Sequence, residues 1–161
     1  MKLRHAFSSF FIVLGIIVLS SCSVSKETRV VKRNIKGNWV LQTITAEGVT
    51  GVVKTKVFNE ADLSCFIGSE WNFSSGNNMG SYAIVDKSKN CTQLKRLISW
   101  SIFEPENTAK EFQFKRLDDN KNAIDSFRLS IVEINSNNLK LRSEVISDGK
   151  SRALIYNFIK N

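Results

Sequence analysis

A chain of 161 residues has room for one domain of ordinary size. Its 23 Lys and Arg against 15 Asp and Glu give a net charge of +8, but the cations come in scattered pairs: Lys54 and Lys56, Lys87 and Lys89, Lys95 and Arg96, Lys115 and Arg116. With no recognition helix and no aromatic RNA-binding signature, they read as solvated strand faces and argue against a nucleic-acid partner. The single histidine is His5, so nothing beyond it can use imidazole as a general base, triad member or metal ligand.

The chain opens with Lys2 and Arg4, then an apolar run from Phe10 to Leu19. A bilayer-spanning helix needs roughly 20 apolar residues. This run is about half that and fits the core of a secretory signal over residues 1–21; the bland alternative is a short buried helix. Leu19-Ser20-Ser21-Cys22 resembles the lipobox of bacterial lipoproteins: an aliphatic residue, two small ones that let the backbone lie extended in a peptidase cleft, and a cysteine. The resemblance implies that the Cys22 thiol accepts a diacylglyceryl group and becomes the first mature residue. Cleavage there would leave 140 residues at +6 and no histidine. Two or more acyl chains, at about 0.8 kcal/mol per buried methylene, anchor stably where one does not. Ser23, not aspartate, resembles the outer-membrane rather than inner-membrane retention signal. The expected location is therefore the cell envelope, the face left open.

Residues 22–34 are polar and charged and read as a tether, with the folded domain over 35–161. Ile35 to Thr45 is predicted as the first strand, with Ile35, Gly37, Trp39, Leu41 and Thr43 on one face. Val52 to Phe58 is a possible short strand, and Asn59 is placed to cap one helical turn over Glu60 to Leu63. Strands then follow at Glu70 to Phe73, Gly80 to Val85, Leu94 to Phe103 (broken near Pro105), Glu111 to Lys115 and Ile124 to Ile134. Leu139, Leu141 and Val145 share a face of the next strand, Asp148-Gly149 is a hairpin signal, and Leu154, Tyr156 and Phe158 line the last. Connections after residue 69 are of hairpin length. The fold class is all-β, an eight-stranded up-and-down antiparallel barrel, with a two-sheet sandwich as runner-up. With Cys22 lipidated, Cys65 and Cys91 form an even pair in an oxidising compartment and are expected to be disulfide-bonded.

Gly37-Asn38-Trp39 on the first strand resembles the opening motif of lipocalins. Cys65, Trp71-Asn72-Phe73, Gly80-Ser81-Tyr82, Cys91 and Trp100 extend the likeness to the lipocalin-like domain of exported bacterial lipoproteins, over roughly residues 34 to 159. The resemblance implies that Gly37 and Trp39 form the barrel floor. The late arginine that packs over this tryptophan in lipocalins has Arg142 and Arg152 as candidates.

Trp71, Phe73, Tyr82, Trp100, Phe112 and Phe114, with Phe127 and Tyr156, are the aromatic candidates for an interior pocket taking a small hydrophobic ligand or lipid. The plain alternative is a filled core serving an envelope interaction module. Glu70, Glu104, Asp118, Asp119, Asp125 and Glu133 show no convergence on one cleft, and no Gly-x-Ser-x-Gly elbow occurs. No enzyme activity, cofactor or metal is expected. The partners expected are a membrane, through the N-terminal lipid, and a small ligand.

Overall fold

The computed structural model describes residues 25–49, 53–74, 76–85, 90–105, 108–147 and 149–161. The signal segment, Cys22 and Asp148 lie outside the described residues.

Residues 26–34, read from sequence as tether, and Ile35, read as the start of the first strand, form a helix, α1 (Lys26–Ile35), and the strand begins at Gly37. Ser25 caps it, its hydroxyl accepting from the Thr28 amide at 3.1 Å. Glu27 in the first turn and Lys32 and Arg33 in the last complement the helix dipole. The polar composition suggested a tether, but Thr28 and Ile35 are buried, and packing of these two outweighs the solvated remainder.

Eight strands close into a barrel. They are β1 (Gly37–Ala46), β4 (Glu70–Phe73), β5 (Met79–Ile84), β6 (Leu94–Phe103), β7 (Glu111–Leu117), β8 (Ala123–Ile134), β9 (Asn138–Ser147) and β10 (Lys150–Lys160). Each pairs antiparallel with its neighbour, and β1 pairs with both β10 and β4 to complete the ring. Closure leaves no free edge around the ring, as the up-and-down reading required. Two short strands, β2 (Lys56–Val57) and β3 (Ala61–Asp62), make a separate hairpin. One helical turn, α2 (Leu63–Phe66), follows.

Alternation sends Phe112 and Phe114 inward on β7 and Trp71 and Phe73 inward on β4, all at most 2% exposed. Bulges interrupt the ladder between Leu41 and Thr43, between Arg116 and Leu117, and between Ile131 and Glu133, and such bulges bend strands toward closure. The first corrects the face assigned to β1: Thr43 is exposed, and Ile44 is the buried residue beyond Leu41. The turns follow their side chains. Asp118 accepts from the Asn122 amide at 2.7 Å, and Asn135 accepts from the amides of Asn137 and Asn138. Gly80 is dictated by close approach, since a Cβ there would overlap the Asn72 carbonyl oxygen of the neighbouring strand.

One end of the barrel is shut. Trp39 is 1% exposed and donates from Nε1 to the Ile35 carbonyl at 2.6 Å, tying β1 to α1. The cation over its ring is neither Arg142 nor Arg152. It is Lys160, whose Nζ lies 4.9 Å from the ring centroid and donates to the Asn34 carbonyl at 3.0 Å. Arg142 instead pairs with Glu47 and Glu144. Gly37, at φ 122°, leaves room for this lysine, because a Cβ would come within 2.9 Å of its Cε.

Cys65 and Cys91 are bonded, joining α2 to the segment before β6 across a Cα–Cα distance of 5.6 Å. Replacing both with serine is expected to cost about 2–4 kcal/mol, read as a lower urea midpoint against the parent chain.

Candidate functional site at the barrel mouth

The open end is built by the hairpin of β2 and β3, a finger that enters the barrel. Its turn, Val57-Phe58-Asn59-Glu60, closes with the Glu60 amide donating to the Val57 carbonyl at 3.2 Å. Phe58 and Asn59 both adopt positive φ, 53° and 51°. That geometry suits tight hairpins but costs a non-glycine residue roughly 1–2 kcal/mol. The cost is met by burial. The Phe58 ring lies 5.1–5.8 Å, centroid to centroid, from those of Phe66, Trp71, Phe114, Phe127 and Tyr156. The helical turn expected over Glu60 to Leu63 falls instead at Leu63–Phe66, and Asn59 caps nothing, because its left-handed backbone belongs to the hairpin turn.

The same turn delivers Glu60 to a polar cluster on the inner wall. Arg96 on β6 grips its carboxylate with two bonds, Nη2 to Oε1 at 2.8 Å and Nε to Oε2 at 3.0 Å. Tyr82 on β5 donates to Oε2 at 2.8 Å, and Arg116 on β7 donates to the same oxygen. Arg116 also pairs with Asp125 across the β7–β8 ladder. The side chains of Glu60 and Arg116 are 8% and 9% exposed, so this pair is buried, while Arg96 at 42% opens the network to solvent.

The Arg96 guanidinium, helped by Tyr82 and Arg116 and opposed by burial, lowers the Glu60 carboxyl from 4.5 to about 2. Burial and the Glu60 charge beside it push the Tyr82 hydroxyl well above its ordinary range. Since the folded value of Glu60 is depressed, its contribution is full above about pH 4.5 and is lost as pH falls toward about 2. Acid titration of stability is therefore expected to flatten in this window in Glu60→Gln relative to the parent chain. Parallel acid limbs would show that the contacts do not hold the finger.

On the β1 side of the finger lies a cavity of about 700 Å³, lined by Ile44, Ala46, Val49, Val53, Leu63 and Ile67 together with Thr45, Lys54, Thr55, Asp62 and Ser64. It exists because β4 pairs with β1 only over Gly37–Val40, while β1 runs on to Ala46. A second cavity of about 310 Å³ lies on the other side, touching Phe58, Asn59, Phe127 and Tyr156.

The structure brings all six sequence-predicted ligand residues together, but against one another. Trp71 stacks on Tyr82 at 4.7 Å and meets Phe114 edge-on, while Phe73 packs on Trp100 and Phe112. None of the six lines the 700 Å³ cavity. Both tyrosine hydroxyls have protein partners, Tyr82 with Glu60 and Tyr156 with Ser143.

The paired cations need correction too. Arg96 and Arg116, read as solvated strand faces, point into the barrel. The signal was legible: Arg116 follows Phe112 and Phe114 at a spacing of two, on their face. Glu60, missed as a site residue, gave no such signal. Of the other carboxylates, Glu104 binds Ser25 and Thr28 of the α1 cap, Asp118 holds its turn, and no metal-binding group of three occurs among the described residues.

No protein-family profile matches the sequence, and no curated protein matches it. Among solved structures, a lipocalin-like protein from Bacteroides uniformis is similar, with a TM-score of 0.47 at 13% identity, over 80% of this chain and 99% of that one. The chain is a closed up-and-down barrel of eight strands. Among the described residues the aromatic interior is packed ring on ring, and the 700 Å³ cavity lies at the mouth, beside the finger.

Proposed function

We propose that the protein is a lipid-anchored envelope lipoprotein that binds a small hydrophobic molecule at the barrel mouth. The observation that carries this is the 700 Å³ cavity between the mouth half of β1 and the finger, walled by six aliphatic side chains. Its size is that of a small-ligand site, and its few polar neighbours suit orientation. Ligand space in this reading lies beside the aromatic interior rather than within it.

The anchor supports a definite orientation. Cys22 precedes Ser25 by three residues, a span of at most roughly 10 Å. The Ser25 hydroxyl donates to Glu104, just past the end of β6 at the closed end. Acylation at Cys22 sets the closed end toward the bilayer and the mouth away from it. The exposed Lys26 and Arg33 of α1 lie at that end, suited to anionic headgroups.

The test uses the neutral apolar dye N-phenyl-1-naphthylamine and the full chain in phosphatidylcholine nanodiscs. Saturable binding above the empty-disc background is expected, and Ala46→Trp, which fills the cavity, should weaken it roughly tenfold. Exclusion of the dye, or indifference to Ala46→Trp, would favour a filled barrel serving as a protein-interaction module. For the anchor, palmitate labelling that persists in Cys22→Ser would contradict lipidation there.

A further inference from the structure

The polar cluster under the finger is built like a receptor for a carboxylate. Three donors from three adjacent strands, Arg96, Arg116 and Tyr82, converge on one planar two-oxygen group, and Arg96 holds it by two bonds. Arg116 is more than nine-tenths buried, and its Nε has no acceptor among the described residues. Two arginines face Glu60 and Asp125. Withdrawing Glu60 would leave the pocket with an excess positive charge and a buried guanidinium short of acceptors, a costly state unless another anion enters.

The group that fills this receptor arrives on a hairpin whose two turn residues have left-handed backbones. Its neighbour Phe58 occupies the centre of the aromatic interior. Cavities lie on both sides of the finger, so its departure would join them into one space that reaches Phe114 and Trp71. The disulfide at Cys65 fixes the segment just beyond the finger, confining movement to the hairpin.

We propose that the finger is a resident pseudo-ligand, with Glu60 in the place of an anionic head and Phe58 in the place of an apolar chain, and that an alkyl carboxylate displaces it. The exchange is like for like: a carboxylate replaces a carboxylate on the same donors, an alkyl chain replaces a ring among the same aromatic walls, and the turn is relieved of its left-handed residues. The inference rests on the mouth being an apolar-ligand site, and names the ligand class and the element that yields to it.

Hydrogen exchange of the full chain in phosphatidylcholine nanodiscs tests it, with decanoate and decanol as probes. Decanoate is expected to speed exchange of the 56–62 amides roughly tenfold, and decanol at equal membrane loading to leave them protected. Arg96→Gln, at a half-exposed position outside the lining of the 700 Å³ cavity, should weaken the decanoate effect roughly tenfold and spare binding of the neutral dye. Release by decanol as well, indifference to Arg96→Gln, or decanoate binding with the finger still protected would each overturn the displacement while leaving the mouth an apolar pocket. Failure of both decanoate and the dye would overturn that reading too.

Discussion

Replacing Arg116 with methionine is expected to destabilise the protein by about 3–5 kcal/mol, because it takes the guanidinium from Asp125 and leaves Glu60 to Arg96 and Tyr82 alone. Glu60 and Asp125 both accept hydrogen bonds from Arg116, and the Glu60 side chain is only 8% exposed. Arg96 still holds Glu60 from the half-exposed side, but the buried side of the carboxylate loses its donor and must draw in water. Burial opposes the charge on Arg116 itself, but bonds to Asp125 and Glu60 outweigh it and hold the guanidinium firmly protonated. Methionine keeps most of the volume, so the loss is electrostatic rather than a cavity. Adding Glu60→Leu should recover part of it, since the double variant also removes the carboxylate that lost its buried donor. Urea unfolding of the two variants gives the answer. A loss under about 1 kcal/mol for Arg116→Met would show that the pair behaves as a surface one.

The second large effect is expected at Trp71. Its ring touches Phe58, Phe73, Tyr82, Phe114 and Phe158, and its Nε1 donates to the Ser69 hydroxyl at 2.9 Å. Trp71→Ala should cost about 3–5 kcal/mol, through the cavity it leaves and its failure to collapse. Trp71→Phe keeps the ring contacts but leaves Ser69, itself 1% exposed, without its donor, and should cost about 1–3 kcal/mol. A chemical denaturation midpoint shifted at constant slope reads both. Were the interior an open ligand chamber, Trp71→Ala would change binding with little loss of stability.

The barrel was legible because its signal is local. Period-two alternation assigns the inward face of Glu111–Leu117 without knowledge of neighbours, and Asp118 and Asn135 announce their turns. What failed were places where the tertiary fold overrides local pattern. The bulge after Leu41 swaps Thr43 for Ile44, and nothing in the residues marks it. The helix α1 is polar enough to pass for a tether, and two buried side chains secure it. Phe58 takes a left-handed backbone that propensity disfavours, because ring burial compensates, while Asn59 beside it belongs to a residue type that tolerates this region. The aromatic residues were rightly placed inside. Whether they line a space or fill it is a matter of volume, and one finger from a distant segment decides it. Lys160 rather than an arginine covers Trp39 for a similar reason: it is the end of β10, paired directly with Trp39 in the register.

The central claim is that ligand space in this barrel lies at its mouth, beside the finger or in the finger's place, and not among the aromatic rings of the closed end. Anomalous diffraction from crystals of the full chain soaked with a terminally brominated alkyl carboxylate locates the ligand directly. The account predicts a bromine peak among the mouth residues near Ile44, Leu63 or Phe58, with the carboxylate on Arg96 and Arg116. A bromine between Phe73, Trp100 and Phe112 at the closed end, or no ordered bromine at all, would contradict it.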